Sequence, residues 1–343
     1  MAPKTRSYEE TWDCESHVAV AVTTAGVLVA GYVYYKFQKN KLPTTWTCVG
    51  KLDNLYIYPV KSCAPVQVDQ AECTYLGLKQ GWLRDRVLML IDEKDNFVTA
   101  RAYPELLLVH PTVKNSILSL RHVDMEPLYV NLAEVIELEK PFTATVWSCK
   151  VEVRDCGQEA SEWFSKLLNR AGIKFRLVYY SSQKSRVIRD SPHFNYYNFM
   201  KTDTGALPDE TAFNLINKAS VMELNSRLPN VQVDHRRFRP NFTVTGAAEF
   251  DEDKWDFVKI GANIFKILKP CVRCIMTTID PETGMRDENS QPLEMLRSYR
   301  LVENPKERKI SGNSPRMGVQ LVLRSGPGGT VSLNDDVYVS YKK

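Results

Sequence analysis

The amino-acid sequence predicts an α+β protein in which an N-terminal transmembrane helix precedes an α/β lobe and a β-barrel domain. Three observations support this fold class. A run near the N-terminus lacks charged side chains and is almost wholly apolar. The following region mixes short apolar strands with an amphipathic helix, and the last region contains many short β runs separated by turn signals. The 343 residues, 43% of them apolar, suffice for roughly two domains with their own cores.

The N-terminal region divides into a short leader (1–17), a membrane anchor (18–35) and a tether (36–50). Ser16 to Tyr35 contains no Lys, Arg, Asp or Glu, and an apolar span of this length just crosses a bilayer as a helix. The leader carries more acidic than basic residues, unlike a cleaved signal peptide, and a buried helix is the other alternative. Lys36, Lys39 and Lys41 place the C-terminal side in the cytosol by the positive-inside rule. We therefore expect a single-pass signal anchor.

The first lobe, residues 51–180, is predicted to contain both strands and a helix. The expected strands are Leu52–Tyr58, Val87–Asp92, Phe97–Ala100 and Val151–Arg154. The expected helix carries apolar residues at the spacing i, i+3, i+4, i+7 and i+8, namely Ala160, Trp163, Phe164, Leu167 and Leu168. Gly172 lies where a C-terminal cap belongs. Such a stripe indicates core packing and not a cofactor-binding motif.

The second lobe, residues 185–341, follows a polar and aromatic stretch without a clear period. One helix is expected over Ala219 to Leu228, bounded by Pro229. The expected strands are Phe242–Thr245, Phe257–Ile260, Ile264–Leu268, Ile275–Ile279, Val319–Leu323 and Val337–Tyr341. Many short strands with glycine-rich and Asn-Asp turns favour a barrel.

Composition and missing motifs exclude several function classes. The net charge of +4 is far below the surplus of a dedicated nucleic-acid binder. The eight cysteines show no dense spacing, so we expect reduced thiols and not a disulfide framework. A structural zinc site would need a second ligand pair, which the sequence lacks. Walker, Rossmann, nucleophile-elbow and H-E-x-x-H motifs do not occur.

The most informative segment is Cys271-Val272-Arg273-Cys274, since a thiolate is a strong ligand for a soft transition metal. Three basic segments accompany it: Tyr58-Pro59-Val60-Lys61-Ser62-Cys63, Arg84-Asp85-Arg86, and His235-Arg236-Arg237-Phe238-Arg239-Pro240-Asn241. Each of these alone is more common as a solvated face or a structural ion pair. Together with the thiol they suit a phosphorylated, metal-bearing ligand whose metal takes a protein thiolate.

These motifs resemble those of a known family. Six motifs occur in the same order in MOSC-domain proteins: Tyr58-Pro59-Val60-Lys61-Ser62, Arg84-Asp85-Arg86, Thr99-Ala100-Arg101, Leu224-Asn225-Ser226-Arg227-Leu228, Phe238-Arg239-Pro240-Asn241 and Cys271-Val272-Arg273-Cys274. The chain resembles in particular the mitochondrial amidoxime-reducing components of this molybdoenzyme family. The resemblance runs from about residue 50 to the C-terminus and includes the N-terminal anchor. It implies a MOSC N-terminal β-barrel-like domain over 51–180 and a MOSC domain over 185–341.

The resemblance implies a molybdenum cofactor, Mo-molybdopterin, which is a pterin with a metal-chelating dithiolene and a terminal phosphate. Cys274 matches the metal ligand, whereas Cys271 matches a position not used for ligation. The other matching cofactor contacts are Lys61, Ser62, Arg86, Asp209, Thr211, Arg239, Asn241 and the backbone around Val272 and Arg273. Gln320 stands where relatives carry Tyr, so a contact there would come from the backbone.

The resemblance also implies reduction of N-hydroxylated compounds, such as amidoximes, hydroxylamines and N-hydroxyguanidines, to amidines or amines. Because the chain has no flavin, haem or nicotinamide motif, electrons are expected from NADH through cytochrome b5 reductase and cytochrome b5. The implied location is the outer mitochondrial membrane, with the catalytic domain facing the cytosol. Two alternatives are a MOSC-type cofactor-binding or sulfur-carrier protein without N-reductase turnover, and a membrane-tethered interaction protein with a degenerate site. MOSC-containing sulfurases carry a large pyridoxal-phosphate domain upstream, for which the N-terminal 50 residues leave no room.

Overall fold

The computed structural model describes residues 42–170, 172–188 and 192–342. Trp46–Lys343 form one compact unit. Within the described ranges, no helix is both long enough and apolar enough to cross a membrane. The predicted leader, the anchor at 18–35 and the first part of the tether lie outside the described residues, so the anchor stays a prediction.

The strands follow the chain in two groups. The first group is β1 (Thr47–Ile57), β2 (Val66–Gln67), β3 (Gln70–Thr74), β4 (Gly77–Gln80), β5 (Leu83–Arg84), β6 (Leu88–Ile91), β7 (Phe97–Val98), β8 (His110–Lys114), β9 (Ile117–His122), β10 (Met125–Asn131), β11 (Phe142–Val146), β12 (Cys149–Asp155) and β13 (Arg176–Tyr179). The second group is β14 (Phe213–Asn217), β15 (Phe242–Thr245), β16 (Trp255–Ile260), β17 (Asn263–Val272), β18 (Arg316–Leu323), β19 (Thr330–Ser332) and β20 (Asp336–Tyr341).

A closed barrel forms the centre of the second lobe. Eight strands hydrogen-bond in the order β15-β14-β18-β17-β16-β20-β1-β2. The pairing of β15 with β1 closes the first seven into a ring, and β2 adds to β1 outside it. Buried and half-buried residues alternate along β17, because successive side chains of a strand point to opposite faces. Phe213, Phe242 and Phe265 contact one another in the interior, with ring centroids 5.2 to 5.8 Å apart. The β-barrel predicted from the short β runs is confirmed.

The two predicted lobes share sheets. β1 comes from the start of the segment 51–180 but completes the barrel of the second lobe, and it begins at Thr47, within the predicted tether. In return, β19 pairs with β3 in a four-stranded sheet of order β19-β3-β4-β5. The first lobe also has a five-stranded sheet, β11-β12-β13-β6-β7, and a three-stranded sheet, β10-β9-β8. The antiparallel partners predicted around residues 87–100 are β6 and β7.

The helices are short and connect the sheets. They are α1 (Leu132–Leu138), α2 (Gln158–Leu168), α3 (Pro192–Tyr197), α4 (Lys218–Arg227), α5 (Leu293–Tyr299) and α6 (Pro305–Ser311), with 3-10 helices at Pro104–Leu108, His235–Phe238, Asp251–Lys254 and Ile275–Thr278. Ala160, Trp163, Phe164 and Leu168 of the predicted α2 stripe are buried, and Leu167 is half-buried against the same core. The predicted cap at Gly172 is wrong: the helix ends at Leu168, and its C-terminal cap is Asn169, which adopts the left-handed conformation with φ 40°. Asn tolerates this conformation, and the buried stripe itself ends at Leu168.

The segment after the cysteine pair differs from its predicted strand at Ile275–Ile279. β17 continues through Pro270 to Val272, and Ile275–Thr278 then forms a 3-10 helix. The Thr277 hydroxyl donates to the Cys274 carbonyl at 3.0 Å, and local bonds of this kind compete with strand pairing. The turn places Cys274 just beyond the end of a barrel strand.

Candidate active site

A cavity of about 550 Å³ lies beside the C-terminal end of β17. All ten site residues predicted from the sequence line it: Lys61, Ser62, Arg86, Asp209, Thr211, Arg239, Asn241, Val272, Arg273 and Cys274. Its charged side chains are the basic Lys61, Arg86, Arg101, Arg186, Arg237, Arg239 and Arg273 and the acidic Asp209 and Glu210. This surplus of positive charge favours an anionic ligand.

The two cysteines of the pair have different surroundings. Cys274 is partly exposed to the cavity, and Arg101 donates a hydrogen bond from Nε to its Sγ at 3.3 Å. Cys271 is buried, and its Sγ accepts a bond from Gln320 Nε2 at 3.6 Å. The side chain of Gln320 thus reaches the cavity wall, where the sequence led us to expect a backbone contact only. Both cysteines line the cavity, but Cys274 is the more exposed of the two and accepts a bond from a cation, so it is the thiol better placed to bind a ligand.

Asp209 connects three side chains of the cavity wall. Lys61 Nζ donates to one carboxylate oxygen, Arg101 Nη2 donates to the other at 2.6 Å, and Trp147 Nε1 donates at 3.2 Å. Burial acts to raise the pKa of Asp209, but the charges and hydrogen bonds of Lys61 and Arg101 outweigh it and hold this pKa well below its usual range. Burial lowers the pKa of Lys61 to about 8, against the opposing effect of Asp209. The carboxylate therefore stays ionised and orders this wall.

A second wall is built around the buried ring of Tyr58. The guanidinium carbons of Arg86 and Arg239 lie 4.6 and 4.3 Å from its centroid. Asp85, which is 1% exposed, pairs with Arg86 at 2.5 Å, and Arg86 Nη2 donates to the Arg239 carbonyl at 3.1 Å. Among the described carboxylates, none forms an ion pair with Arg239. One negative charge thus serves two half-buried arginines.

Arg239 and Arg237 retain unused hydrogen-bonding capacity. Arg239 Nη2 is buried without a partner among the described residues, and so is Arg237 Nη1. Arg237 Nη2 pairs with Asp280 at 2.8 Å. Burial, with the charge of Arg86 acting in the same direction, lowers the pKa of Arg239 to about 10. These donors lie on the cavity wall and are therefore available to an anionic ligand.

Asn241 uses its amide group for the protein's own structure. Its Nδ2 donates to the Tyr56 carbonyl at 3.1 Å and to Asp85 Oδ1 at 3.0 Å. Its Oδ1 accepts from the Asn214 backbone at 3.2 Å. Because the donors and the acceptor are already engaged, Asn241 fixes the strands and the acid behind the cavity.

Arg273 likewise shapes the cavity. Its Nε and Nη1 donate to the carbonyls of Met317 and Phe238, both at 2.8 Å. Its backbone N–H, near which a cofactor contact was expected, donates to the Pro315 carbonyl at 2.7 Å. Val272, the last residue of β17, pairs with β18. Neither the side chain nor the backbone N–H of Arg273 is free for a ligand.

Three of the predicted residues have strained backbones. Ser62, Arg86 and Arg239 have φ values of 74°, 48° and 51°, in the left-handed region that residues other than Gly seldom adopt. Such strain concentrates at functional sites, where the surrounding structure maintains it.

Thr211 is buried, and its hydroxyl donates to the Phe213 carbonyl at 3.0 Å.

The structure adds residues that sequence reasoning did not assign to the site. Arg101 was visible only as part of the Thr99-Ala100-Arg101 motif. Trp147, in the turn between β11 and β12, and Arg186, in the stretch without periodicity, gave no signal. Phe194 and Phe199 also line the cavity, where their rings stack with centroids 5.0 Å apart. These aromatic side chains supply the apolar part of the wall.

Comparison with known families defines the class of protein. The sequence pattern of the MOSC N-terminal beta barrel domain matches residues 49–171, and that of the MOSC domain matches residues 202–338. Together these segments hold every predicted site residue. The strand-rich fold and the cavity are therefore those of a MOSC-domain protein.

Individual relatives narrow the class. Mitochondrial amidoxime reducing component 2 of Bos taurus is 39% identical over 290 residues, which are 84% of this chain and 83% of that protein. Mitochondrial amidoxime-reducing component 1 of Homo sapiens is 37% identical over 296 residues, 85% of this chain and 83% of that protein. The component 1 of Danio rerio is 37% identical over 319 residues, 93% of this chain and 92% of that protein. The chain belongs to this MOSC-domain family of mitochondrial amidoxime-reducing components, which confirms the resemblance seen in the motifs.

Proposed function

We propose that this protein is a molybdenum-cofactor-dependent oxidoreductase that reduces N-hydroxylated compounds such as amidoximes, hydroxylamines and N-hydroxyguanidines. One observation carries the proposal. The Cys274 thiol lies on the wall of a cavity whose arginines include buried donors with no partner in the described part of the chain. The relatives' names, amidoxime-reducing components, supply the reaction class.

The residues present fit a molybdenum cofactor. A volume of about 550 Å³ lies in the range of small-molecule sites. Cys274 would supply the soft thiolate that molybdenum accepts, and Lys61, Ser62, Arg86 and Arg239 would hold the phosphate and pterin. The unpartnered Arg239 Nη2 is the donor such an anion would complete. Asn241 and Arg273 would act through the shape they give the cavity.

The protein's own residues position the reaction. When bound, the cofactor supplies two-electron oxygen chemistry, by which an N–OH group, two electrons and two protons give N–H and water. Arg101 orients the Cys274 sulfur through its Nε–H bond and is itself held by Asp209 and the Trp147 ring, 5.2 Å from its guanidinium. The stacked Phe194 and Phe199 would exclude water and bind the organic part of the substrate.

Partners and location are part of the same proposal. Since the sequence has no flavin, haem or nicotinamide motif, electrons would reach the site from NADH through cytochrome b5 reductase and cytochrome b5. A single-pass anchor at residues 18–35 would hold the protein on the outer mitochondrial membrane, with the catalytic part in the cytosol. The word mitochondrial in the relatives' names supports the mitochondrial part of this proposal.

Metal analysis combined with turnover tests the proposal. The full chain, purified from cells that make the cofactor, should contain molybdenum in near-stoichiometric amount. It should reduce benzamidoxime with NADH, cytochrome b5 reductase and cytochrome b5 under anaerobic conditions. Molybdenum without turnover would instead indicate a cofactor-binding or sulfur-carrier protein. The absence of both would indicate an interaction protein and would refute the enzymatic assignment.

A further inference from the structure

Arg186 is a buried cation of the cavity to which the proposed function assigns no role. Arg186 is 3% exposed and lines the cavity. Nη2 donates to the carbonyls of Pro208 and Asp209 at 2.7 and 3.2 Å. Nε and Nη1 are buried and have no hydrogen-bond partner among the described residues. A buried guanidinium normally has its donors satisfied, so these two N–H groups point to a missing acceptor.

The charge around Arg186 is also incomplete. Arg186 forms no ion pair with a described carboxylate, and the Asp209 carboxylate is already engaged by Lys61, Arg101 and Trp147. Three cations, Lys61, Arg101 and Arg186, therefore share the single charge of Asp209, which leaves a surplus of two positive charges. Burying such a surplus is costly unless an anion neutralises it. A phosphate monoester carries about −1.5 to −2 at neutral pH, which matches the surplus.

We propose that Arg186 binds an oxyanion, either a phosphate or a carboxylate group, through its Nε and Nη1 donors. The source of the anion rests on the proposed function: it is the terminal phosphate of the bound cofactor or an acidic group of the substrate. Lys61 adds a second positive charge near the same site. It donates to the Asp209 carboxylate, whereas Arg186 donates to the Asp209 carbonyl. Arg186 is thus a ligand-binding residue that sequence motifs did not reveal.

The first experiment titrates inorganic phosphate into the cofactor-free full chain and measures binding calorimetrically. Arg186→Gln should bind phosphate roughly ten- to a hundredfold more weakly than wild type, because a charge-assisted hydrogen bond is lost. Arg186→Lys keeps the charge and should recover part of the affinity. Arg176→Gln is the matched control, since Arg176 already pairs with Asp95 and Asp155 outside the cavity. Equal phosphate affinity in wild type and Arg186→Gln would overturn the proposal, whatever the turnover.

The second experiment separates the two sources of the anion. If Arg186 holds the cofactor's phosphate, molybdopterin content per chain should fall in Arg186→Gln. If Arg186 holds the substrate, molybdopterin content should be unchanged and the KM for 4-carboxybenzamidoxime should rise while that for benzamidoxime does not. Either result supports an oxyanion site. No change in content or in either KM would overturn it, even where inorganic phosphate binds.

A third measurement needs no variant and therefore does not depend on the folding of one. Backbone hydrogen exchange in the peptide that contains Arg186 should slow in the wild-type full chain when phosphate is present, as followed by peptide mass spectrometry. An unchanged exchange rate in this peptide would contradict the proposal. Because this readout does not involve turnover, a chain that binds phosphate but does not reduce amidoximes would refute the proposed function alone.

Discussion

At the scale of single residues, Cys274 and Cys271 lie three positions apart but meet different neighbours. Arg101 donates to the Sγ of Cys274 at the cavity, whereas Gln320 covers the Sγ of Cys271 in the barrel wall. The Arg101 guanidinium is in turn fixed by Asp209. One thiol is thus oriented for ligand binding by a cation, and the other is a packed side chain.

Replacing the two cysteines separately should give opposite results. Cys274→Ser should abolish amidoxime reduction, because the oxygen of serine is a harder and weaker donor to molybdenum than sulfur. Cys271→Ser should retain most of the turnover. The measurement is benzamidoxime reduction per folded chain, with circular dichroism as the control for folding. Equal loss in both folded variants would contradict the assignment of the ligand.

Arg101 is predicted to act as a positioning residue for the Cys274 sulfur. Arg101→Gln should lower kcat roughly ten- to a hundredfold, because it removes a charge-assisted bond worth about 1.5–3 kcal/mol. The visible spectrum of the loaded protein should shift as well, and Arg101→Lys should restore part of both. Arg170→Gln is the control, since Arg170 also pairs with a carboxylate and an aromatic ring, at Glu105 and Tyr103. An unshifted spectrum with reduced kcat would show that Arg101 does not act through the sulfur.

Sequence motifs located the candidate residues but not their individual roles. They brought Arg239, Asn241 and Arg273 into the site equally, yet only Arg239 keeps an unused buried donor. The side chains of Asn241 and Arg273 donate their hydrogen bonds to carbonyls and a carboxylate, which the fold brings from distant parts of the chain. Whether a side-chain donor already has a partner depends on the tertiary structure, so a sequence motif cannot reveal it.

At the scale of elements, a buried acid joins α4 to the 3-10 helix Asp251–Lys254. Glu252 is fully buried, and its carboxyl group contacts Ser220 Oγ at 2.8 and 2.9 Å and Asn217 Nδ2 at 3.1 Å. Asn217 also caps the start of α4 by accepting from the Ala219 backbone. Burial, with the charge of Asp253 acting in the same direction, raises the pKa of Glu252 from 4.5 to about 7.

This raised pKa predicts a pH-dependent stability. Between pH 4.5 and 7 the folded state binds more protons at Glu252 than the unfolded state does. The protonated Glu252 therefore contributes fully to the free energy of unfolding below pH 4.5, and this contribution is lost as pH rises through about 7. The loss amounts to roughly 3 kcal/mol. Glu252→Gln should remove this part of the pH dependence, as measured by urea unfolding at pH 5 and pH 8. The same change in unfolding free energy in wild type and variant would contradict the prediction.

Apolar periodicity predicted the positions of β15 and α2 well. The prediction failed where hydrogen bonds from side chains to the nearby backbone set the local conformation. β15 occupies the residues predicted for it, and α2 buries its predicted stripe. The 3-10 helix Ile275–Thr278 was expected to be a strand because three of its four residues, Ile275, Thr277 and Thr278, are β-branched. Threonine hydroxyls bonding to nearby carbonyls, together with the end of pairing at Val272, favour the turn instead.

At the scale of the whole molecule, the barrel depends on a strand from the far end of the described chain. β1 pairs with both β15 and β20 and carries the buried Leu52, Leu55 and Ile57 into the barrel core. Sequence patterns indicated a barrel but not this closure, because strand partners far apart in the chain leave no local signal. The same closure places Lys61, just after β1, on the cavity wall and puts the buried Tyr58 ring against the guanidinium groups of Arg86 and Arg239.

Removal of residues 1–40 should leave folding and catalysis intact. Trp46–Lys343 form one compact unit with β1 complete, so the truncated protein retains every element of the barrel. It should be soluble without detergent, bind molybdenum and reduce benzamidoxime with added electron-transfer proteins at a rate near that of the full chain. A truncated protein that is folded and loaded but inactive would show that the N-terminal region takes part in the reaction. A second truncation that also removes β1 is the control, and it should fail to fold because β1 pairs with both β15 and β20.

X-ray absorption spectroscopy at the molybdenum edge tests the central claim most directly. The purified full chain and its Cys274→Ser variant would be compared after expression in cells that make the cofactor. The account predicts molybdenum in both, with one sulfur ligand fewer in the variant, since the buried arginines still hold the pterin and phosphate. Equal sulfur coordination in the two proteins, or no molybdenum in the wild type, would contradict the claim that this cavity is a molybdenum site completed by Cys274.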